Sequence, residues 1–428
     1  MTELLPPAEW TTRADLAALI KVLGTGNARY VGGAVRDTLL GLAVKDIDIA
    51  TPIEPHEVMR RLKAAGIRVI PTGIDHGTVT ALLDGGPVEI TTLRRDVSTD
   101  GRRATVAFAS AWQDDAARRD FTINALYADP ASGEIFDWFD GLDDLKARRV
   151  RFIGDPGQRI REDHLRVLRY FRFQARFGSQ PADPASESAC AELAATLKGL
   201  SRERVGMEIF NLLALPDPAP TVARMAQLGV LGVVLPEGDP QPLAALVAEE
   251  QRQDVAPDPI RRLAALLPAY VDTAGQVAAR FRLSGAQKKR LICAAQRESS
   301  PPHRGGAGGG GARRMPSVNA GTEPPPQPLP TGEGLSAREE GALNARALAY
   351  RLGMEQALDR LLLTGTDIAP LIGWPIPTFQ LKGGQIVARG VKAGPEVARI
   401  LQAVEAQWVA EGFPEGDRIG ILLAEALT

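Results

Sequence analysis

The spacing of apolar residues divides the chain into a mixed αβ part and a longer helical part. Residues 55–65 carry a helical pattern, and Arg68 to Ile70 follows as a strand. Gly77 to Leu83 and Pro87 to Leu93 are apolar runs joined by a Gly-rich turn, which predicts a hairpin. Beyond Gly178, leucine and alanine recur at the spacing of amphipathic helices. The pattern predicts an α+β fold in which a mixed sheet with helices precedes all-helical domains.

The stretch from Tyr30 to Thr51 contains two features that indicate chemistry, the first of which is a glycine pair. Gly32 and Gly33 separate a short apolar run from a helix-like segment, so backbone N–H groups there can approach an anion. Arg36, in the first turn of that segment, can contact a phosphate. The alternative interpretation is an ordinary turn before a helix.

The second feature is a pair of carboxylates on a predicted strand. Asp46 and Asp48 share one face of the strand, while Ile47 and Ile49 point to the core. Adjacent carboxylates repel each other unless a cation lies between them, and hard oxygen ligands of this kind suit Mg2+. Glu89, on the second strand of the hairpin, is either a third carboxylate at this site or a surface glutamate.

Composition restricts the site of any basic surface. The 428 residues carry a formal charge of -2 and a pI of about 6.2, so positive charge must be local. Between Arg148 and Arg176 there are nine arginines and three acidic residues, and Arg169, Arg172 and Arg176 form a stripe that can meet phosphates. Two cysteines and four histidines offer neither a disulfide pattern nor a zinc site. Without an apolar run of transmembrane length, we expect a cytoplasmic protein with no membrane partner.

Residues 159–177 are predicted to form one helix that carries a candidate base-selecting pair. Asp163 and Arg166 are three residues apart, so they share a face and can fix each other. A fixed carboxylate beside a guanidinium matches the pairing edges of cytosine and adenine but not those of uracil and guanine. The alternative is an ordinary helical ion pair.

Four segments occur in a recognisable order: GGAVRD at 32–37, DID at 46–48, RRDFTINAL at 118–126 and Arg159 to Arg169. In order and spacing they resemble the class II tRNA nucleotidyltransferase and bacterial poly(A) polymerase family. The polar segment Arg94 to Arg103 is similar to that family's flexible loop, which the family associates with the switch from C to A. It has Arg102-Arg103 where an Arg–His pair is expected.

The resemblance implies a nucleotidyltransferase that adds C, C and A to the tRNA 3′ end from CTP and ATP. It implies that Asp46 and Asp48 hold two Mg2+ ions. Glu89 joins them as a candidate catalytic carboxylate because of its place on the hairpin strand, not because of the resemblance. The resemblance also implies nucleotide contacts from nine residues, which are Gly32, Gly33 and Arg36 at the triphosphate, Arg118, Asp120 and Asn124 at the ribose side, and Asp163, Arg166 and Arg169 at the base. Without the family, RRDFTINA is a capped short helix with an exposed arginine pair.

The alternatives within the same resemblance are a poly(A) polymerase and a specialist that adds only C or only A. An alternative from another class is a tRNA-binding module without catalysis. Intact Asp46 and Asp48 argue against that module, because binding alone does not require adjacent metal-binding carboxylates.

The resemblance also predicts how the domains follow one another. It places a nucleotidyltransferase head at 1–150, a nucleotide-selecting and RNA-binding neck at 151–215, a helical body at 216–298 and a helical body and tail at 338–428. Between the last two, Ser299 to Gly334 is rich in glycine and proline without apolar spacing. Such a segment cannot bury enough apolar surface to order itself, so we predict a disordered insertion over 299–337.

Overall fold

The computed structural model of the chain describes residues 3–100, 103–109, 111–297 and 337–428. These residues form two compact units. The first contains the described residues up to 244 with 257–266 and 276–284, and the second contains 245–256, 267–275 and the described residues from 285 onward. The predicted insertion at 299–337 lies outside the described residues except for its last residue. The finer division into head, neck, body and tail stays a prediction.

The first unit is built on a seven-stranded sheet. Its strand order is β3-β4-β5-β2-β1-β8-β9, and β6 and β7 form a separate two-stranded sheet. The strands are β1 (Arg29–Val31), β2 (Ile47–Thr51), β3 (Arg68–Gly73), β4 (Thr78–Leu83), β5 (Gly86–Thr92), β6 (Arg94–Asp100), β7 (Arg103–Phe108), β8 (Tyr127–Ala128) and β9 (Ile135–Phe136). Only β2 and β5 pair in parallel in the described sheet. The mixed sheet and the β4–β5 hairpin confirm the prediction from apolar spacing.

Helices make up most of the remaining described chain, and with the sheet they confirm the α+β fold class. They are α1 (Ala14–Leu23), α2 (Gly33–Leu39), α3 (Pro55–Ala64), α4 (Trp112–Ala117), α5 (Gly141–Lys146), α6 (Pro156–Glu162), α7 (Arg166–Phe177), α8 (Pro184–Glu192), α9 (Arg202–Leu213), α10 (Ala219–Gln227), α11 (Val230–Val234), α12 (Gln241–Arg252), α13 (Pro259–Leu266), α14 (Val271–Arg280), α15 (Gly285–Ala295), α16 (Ala337–Leu352), α17 (Met354–Leu363), α18 (Gly383–Val387), α19 (Pro395–Ala410) and α20 (Arg418–Glu425).

The alternation along β2 places its isoleucines in the core as predicted. Ile47 and Ile49 are buried, and β5 lies beside them with Val88 and Ile90 also buried. Because β2 has neighbours on both edges, its backbone hydrogen bonds are satisfied within the sheet. The strand therefore gives a rigid position to the one polar side chain in its middle, Asp48.

Three local predictions were wrong. The predicted loop Arg94 to Arg103 is largely extended, since β6 and β7 pair from Arg94 with Phe108 onward. The helix predicted to begin at RRDFTINA is absent: the segment follows the end of α4 and contains a single 3-10 turn, Thr122–Asn124. In both places strand pairing or packing outweighs the local polarity that the prediction used.

The helix predicted over 159–177 is interrupted, which is the third correction. Helix α6 ends at Glu162, and Asp163 has an extended backbone with φ -148° and ψ 105°. Helix α7 begins at Arg166. Within α7, Leu168 and Phe171 are buried three residues apart, so they lie on the face of the helix that packs into the core.

The second unit ends in a packed helical cluster. Its helix α19 buries Ile400, Val404 and Trp408 at helical spacing. Leu422 and Leu423 of α20 belong to the same core. This part of the chain is held by apolar burial of one helical face against its neighbours.

A buried arginine closes the end of α9 in the first unit. Arg262 is 1% exposed, and its guanidinium donates to the carbonyl oxygens of Leu213 at 2.7 Å and Pro216 at 3.0 Å, and also to that of Leu215. The last carbonyl groups of a helix have no partner within the helix, so this side chain supplies one.

We therefore expect Arg262→Met to lower the stability by about 1–3 kcal/mol, because carbonyl groups remain buried without donors. Thermal unfolding followed by circular dichroism measures the effect. Arg60→Met is the control, since Arg60 forms only an exposed pair with Glu57. Equal melting temperatures for Arg262→Met and Arg60→Met would contradict the capping role.

Candidate active site

A cavity of about 380 Å³ opens in the first unit beside the middle of β2 and β5. Its wall is dominated by arginine and acidic side chains. The lining residues are Val31, Asp48, Glu89, Thr91, Arg94, Arg118, Arg119, Asp120, Asp163, Leu165, Arg166, Arg169 and Arg204. Six arginines against four carboxylates leave the described wall positive overall, which suits an anionic ligand.

The carboxylates of the cavity come from the parallel strand pair. The register of β2 with β5 places Asp48 directly beside Glu89. Asp46 lies one residue before β2 and is exposed, and it does not line the cavity. Burial, followed by the negative charges of Glu89 and Asp46, raises the pKa of Asp48 to about 6, against an opposing effect of Arg119. The predicted proximity of the carboxylates is thus present.

The donor set fits a divalent cation in its chemistry. Within the described ranges, no group of three or more His, Cys, Asp or Glu residues is arranged to hold a metal ion. The pKa of Asp48 is nevertheless raised by burial and, after that, by the carboxylates around it, and a cation between such groups relieves their repulsion. Oxygen ligands alone favour a hard ion such as Mg2+.

Gly32 allows an arginine to lie close to the backbone at the start of α2. It has φ +68°, and a Cβ atom there would lie 3.3 Å from Nη1 of Arg119. Any other residue would combine a strained backbone with a tight contact. Gly33 has no such constraint and does not line the cavity. The role of both glycines in a phosphate cradle stays a prediction.

Arg36 does not reach the cavity. It is 6% exposed and donates to Asp37 at 2.8 Å and to Oδ1 of Asn124 at 2.5 Å, and its guanidinium lies 4.1 Å from the ring centre of Phe177. All these contacts are internal, so the structure corrects the expectation of a direct phosphate contact. Arg36 joins α2 to α7 through packing and hydrogen bonds.

Asn124 also lies behind the cavity, where it orients an acid that lines it. Its Nδ2 donates to Oδ1 of Asp120 at 2.9 Å. The other oxygen of Asp120 accepts from Arg169 at 2.5 and 2.8 Å. Burial by itself raises the pKa of Asp120, but Arg169 and Asn124 outweigh it and hold the pKa below its usual value. Asn124 therefore positions Asp120 and Arg169 without lining the cavity.

The predicted ion pair between Asp163 and Arg166 is absent from the described contacts. Asp163 Oδ2 accepts from Arg204 at 2.8 Å, whereas Arg166 donates to Glu162 at 2.5 Å. Because the helix is interrupted between α6 and α7, the two side chains do not share one helical face. Both still line the cavity, so the structure brings them to one site but gives each a different partner.

The predicted basic stripe on α7 is largely neutralised. Its three arginines each meet an acid from another element: Arg169 meets Asp120, Arg172 meets Glu208 and Arg176 meets Asp37. These pairs hold α7 against α9, α2 and the segment that follows α4. Only Arg169 of the three lines the cavity, so the surface expected for phosphates is an internal network.

Sequence analysis missed four polar lining residues. Arg119 lies within RRDFTINAL and could have been selected with its neighbour Arg118. Arg94 begins the segment interpreted as a loop, and Thr91 lies two residues after Glu89 on β5. Arg204 comes from α9, and no local signal in the sequence connects it with Asp163, 41 residues earlier.

The sheet, the carboxylates beside its parallel pair and the arginine-lined cavity define the class of nucleotidyltransferases. The match to protein families is consistent with this class. The Poly A polymerase head domain matches residues 28–151, and the family described as probable RNA and SrmB-binding site of polymerase A matches residues 182–241.

Curated relatives identify the family. The mitochondrial CCA tRNA nucleotidyltransferase 1 of Homo sapiens is 32% identical over 391 residues, which cover 90% of this chain and 83% of that protein. The same protein of Danio rerio is 34% identical over 89% of this chain and 83% of its own length. The CCA-adding enzyme of Latilactobacillus sakei is 43% identical over 44% of this chain and 46% of its own. The chain belongs to the family of CCA-adding tRNA nucleotidyltransferases and bacterial poly(A) polymerases.

Solved structures confirm the fold. The Bacillus stearothermophilus CCA-adding enzyme in complex with CTP superposes with a TM-score of 0.66 at 23% identity, and each chain is covered to 96%. The Thermotoga maritima CCA-adding enzyme complexed with tRNA_CCA gives a TM-score of 0.63 at 19% identity, with 94% of this chain and 90% of that chain covered.

None of the helices in the described part of the chain is long and apolar enough to cross a membrane. The human and zebrafish relatives are mitochondrial by name, so the expectation of a cytoplasmic location stays a prediction.

The raised pKa of Asp48 predicts a pH-dependent stability. The unfolded carboxyl titrates near 3.9, so both states are protonated below about pH 4, and stability falls as the pH rises from about 4 through 6. In EDTA, Asp48→Asn should remove this fall and melt higher than wild type at pH 7. Thermal melts across pH measure it.

Added Mg2+ should raise the melting temperature of the wild-type protein at pH 7 and leave that of Asp48→Asn nearly unchanged. Asp143→Asn, at an exposed position on α5, is the matched control and should follow wild type in both respects. The assignment of Asp48 as a repelled carboxylate is wrong if Asp48→Asn keeps the wild-type slope between pH 4 and 6.

Proposed function

We propose that this chain adds C, C and A to the 3′ end of tRNA from CTP and ATP and releases pyrophosphate, without a nucleic-acid template. The single observation that carries the proposal is the cavity in which Asp48 and Glu89 face arginines from the RRDFTINAL segment and α7. The full-length relatives named CCA tRNA nucleotidyltransferase support the choice of substrate.

Asp46 and Asp48 would hold the divalent metal, with Glu89 beside them, and Mg2+ is the ion their oxygen atoms suit. When bound, the metal lowers the pKa of the attacking 3′ hydroxyl group and stabilises the departing pyrophosphate. The 3′ oxygen of the tRNA forms a bond with the α-phosphorus of the nucleotide. The bond from that phosphorus to the bridging oxygen of the β-phosphate breaks, and pyrophosphate leaves.

Arg118 and Arg119 are the groups best placed to bind the triphosphate. Both line the cavity, and Asp115 holds both side chains from behind. Guanidinium groups bind phosphate oxygens through paired N–H donors, which orients the nucleotide as well as attracting it. Gly32 makes room for Arg119 at the start of α2.

Asp163 and Arg166 would select the base from the far side of the cavity. Arg204 holds the carboxylate of Asp163, and Glu162 holds the guanidinium of Arg166, so each group is fixed independently. Asp163 offers acceptors to the amino group of cytosine or adenine, and Arg166 offers donors to the neighbouring ring nitrogen. Asp120 with Arg169 lies next to them and supports the nucleotide.

We expect a tRNA that ends before its terminal triplet to receive C, C and A from CTP and ATP and then to stop. Incorporation of labelled nucleotides, offered singly and together and resolved on a sequencing gel, measures the product. Long A tracts with ATP alone would identify a poly(A) polymerase. Arrest after two C residues with both nucleotides present would identify a C-only specialist, and binding without Mg2+-dependent pyrophosphate release would identify a tRNA-binding module.

The selecting role of Asp163 predicts a change in base preference. Asp163→Asn replaces one acceptor oxygen of the carboxylate with an amide donor. The preference for CTP over UTP should therefore fall about 10-fold or more, because an unmatched polar group in a binding site is costly. Single-turnover incorporation with each nucleotide measures the ratio. Asp143→Asn is the control, and an unchanged CTP-to-UTP ratio in Asp163→Asn would remove Asp163 from the selector.

A further inference from the structure

One buried carboxylate behind the cavity receives four hydrogen bonds. Asp115, on α4, is 1% exposed. Its Oδ1 accepts from the backbone N–H of Arg94 at 3.3 Å and from Nε of Arg118 at 3.1 Å. Its Oδ2 accepts from Nη2 of Arg119 at 3.2 Å and from the hydroxyl of Tyr127 at 2.6 Å. Neither the family motifs nor the spacing of the sequence had selected Asp115.

Three of the four donors belong to residues that line the cavity. Arg94, Arg118 and Arg119 are on its wall, while Asp115 and Tyr127 are not. Each oxygen of the carboxylate therefore holds one cavity arginine together with one rigid group. For Oδ1 the rigid group is the first residue of β6, and for Oδ2 it is a buried tyrosine on β8.

Arg119 is held more firmly than a single ion pair allows. Its Nε donates to the hydroxyl of Tyr127 at 3.0 Å, its Nη2 donates to Asp115, and its guanidinium lies 5.2 Å from the ring centre of Tyr127. The remaining nitrogen, Nη1, lies next to the backbone at Gly32. An arginine fixed at several atoms has lost its rotamer freedom before any ligand arrives.

We propose that Asp115 is a positioning residue for nucleotide binding. This proposal rests on the proposed function. Its carboxylate orients Arg118 and Arg119 toward the triphosphate and connects their positions to the first residue of the β6–β7 hairpin. Asp115 touches neither substrate nor reacting atoms and acts only through the arginines. Displacement of a positioned group by about 1 Å can cost on the order of 100-fold in a binding or catalytic step.

Because Asp115 is negatively charged, the direction in which its removal changes the affinity for a nucleotide distinguishes electrostatic attraction from orientation. Its removal leaves two arginines with more net positive charge, so simple electrostatics predicts tighter binding of an anion. Loss of orientation predicts weaker binding of a triphosphate, whose oxygens must meet both guanidinium groups. We expect orientation to dominate, so Asp115→Asn should weaken binding of CTP and ATP by about 10- to 100-fold.

The test uses the full chain and direct binding. Isothermal titration calorimetry with CTP or ATP and Mg2+, in the absence of tRNA, gives affinities that do not depend on incorporation. Asp114→Asn is the matched control, because Asp114 is the adjacent acid on α4 but is exposed and away from the cavity. Leu62→Ala, in the core under α3, provides a destabilised comparator that should bind CTP as wild type does.

Two further variants separate positioning from stability. Tyr127→Phe keeps the charge of Asp115 but removes one support of Arg119, so it should weaken CTP binding in the same direction and by less. Asp115→Asn combined with Arg119→Lys should cost less than the sum of the two changes made singly, because part of the effect of Asp115 passes through that arginine.

The proposal is overturned if Asp115→Asn binds CTP as tightly as wild type or more tightly, if Leu62→Ala loses as much affinity, or if the effects of Asp115→Asn and Arg119→Lys add. It is also overturned if the wild-type chain does not bind CTP at all. A wild-type chain that binds CTP but does not extend tRNA contradicts the proposed function alone, and weaker CTP binding by Asp115→Asn then still supports the positioning role.

Discussion

The parallel pairing of β2 with β5 is the constraint on which the candidate active site depends. In a parallel pair the residues opposite each other are set by register, and here the register places Asp48 beside Glu89. The two carboxylates are brought together in a partly buried place, where burial and then the charge of Glu89 raise the pKa of Asp48. The fold tolerates this repulsion because the flanking isoleucine and valine side chains of the same strands are buried and stabilise the sheet. A site of this kind is ready for a cation before one binds.

Several of the arginines around the carboxylates are held by acids that do not line the cavity themselves. Asp115 holds the pair at the end of α4, Glu162 holds Arg166, and Glu208 approaches Arg169 at 3.9 Å while it binds Arg172. This internal pairing explains how a cavity rich in arginine occurs in a chain with a net charge of -2. Fixed guanidinium groups lose less freedom when a ligand binds, which favours orientation over mere attraction.

The same pairing restricts how the proposed selector, Asp163 with Arg166, would read a base. Asp163 and Arg166 come from the break between α6 and α7 rather than from one helical face, and each is fixed by a residue outside the pair. A selector built in this way does not depend on one ion pair remaining closed. Its geometry depends instead on α9, which supplies Arg204 to Asp163, so in the proposed function the packing of α9 would affect base recognition.

The sequence by itself determined the elements whose information is local. Period-two alternation indicated that Asp48 points away from the core, turn residues indicated the β4–β5 hairpin, and the ordered motifs indicated the family. It could not determine which partner each charged side chain takes, because those partners are distant in the chain. Arg36 was expected at a phosphate but is buried against Asn124, 88 residues later, and Asp163 was expected beside Arg166 but binds Arg204. Only tertiary packing decides which of several nearby charges lies within hydrogen-bonding distance, since burial makes one specific pairing necessary where solvent would allow many.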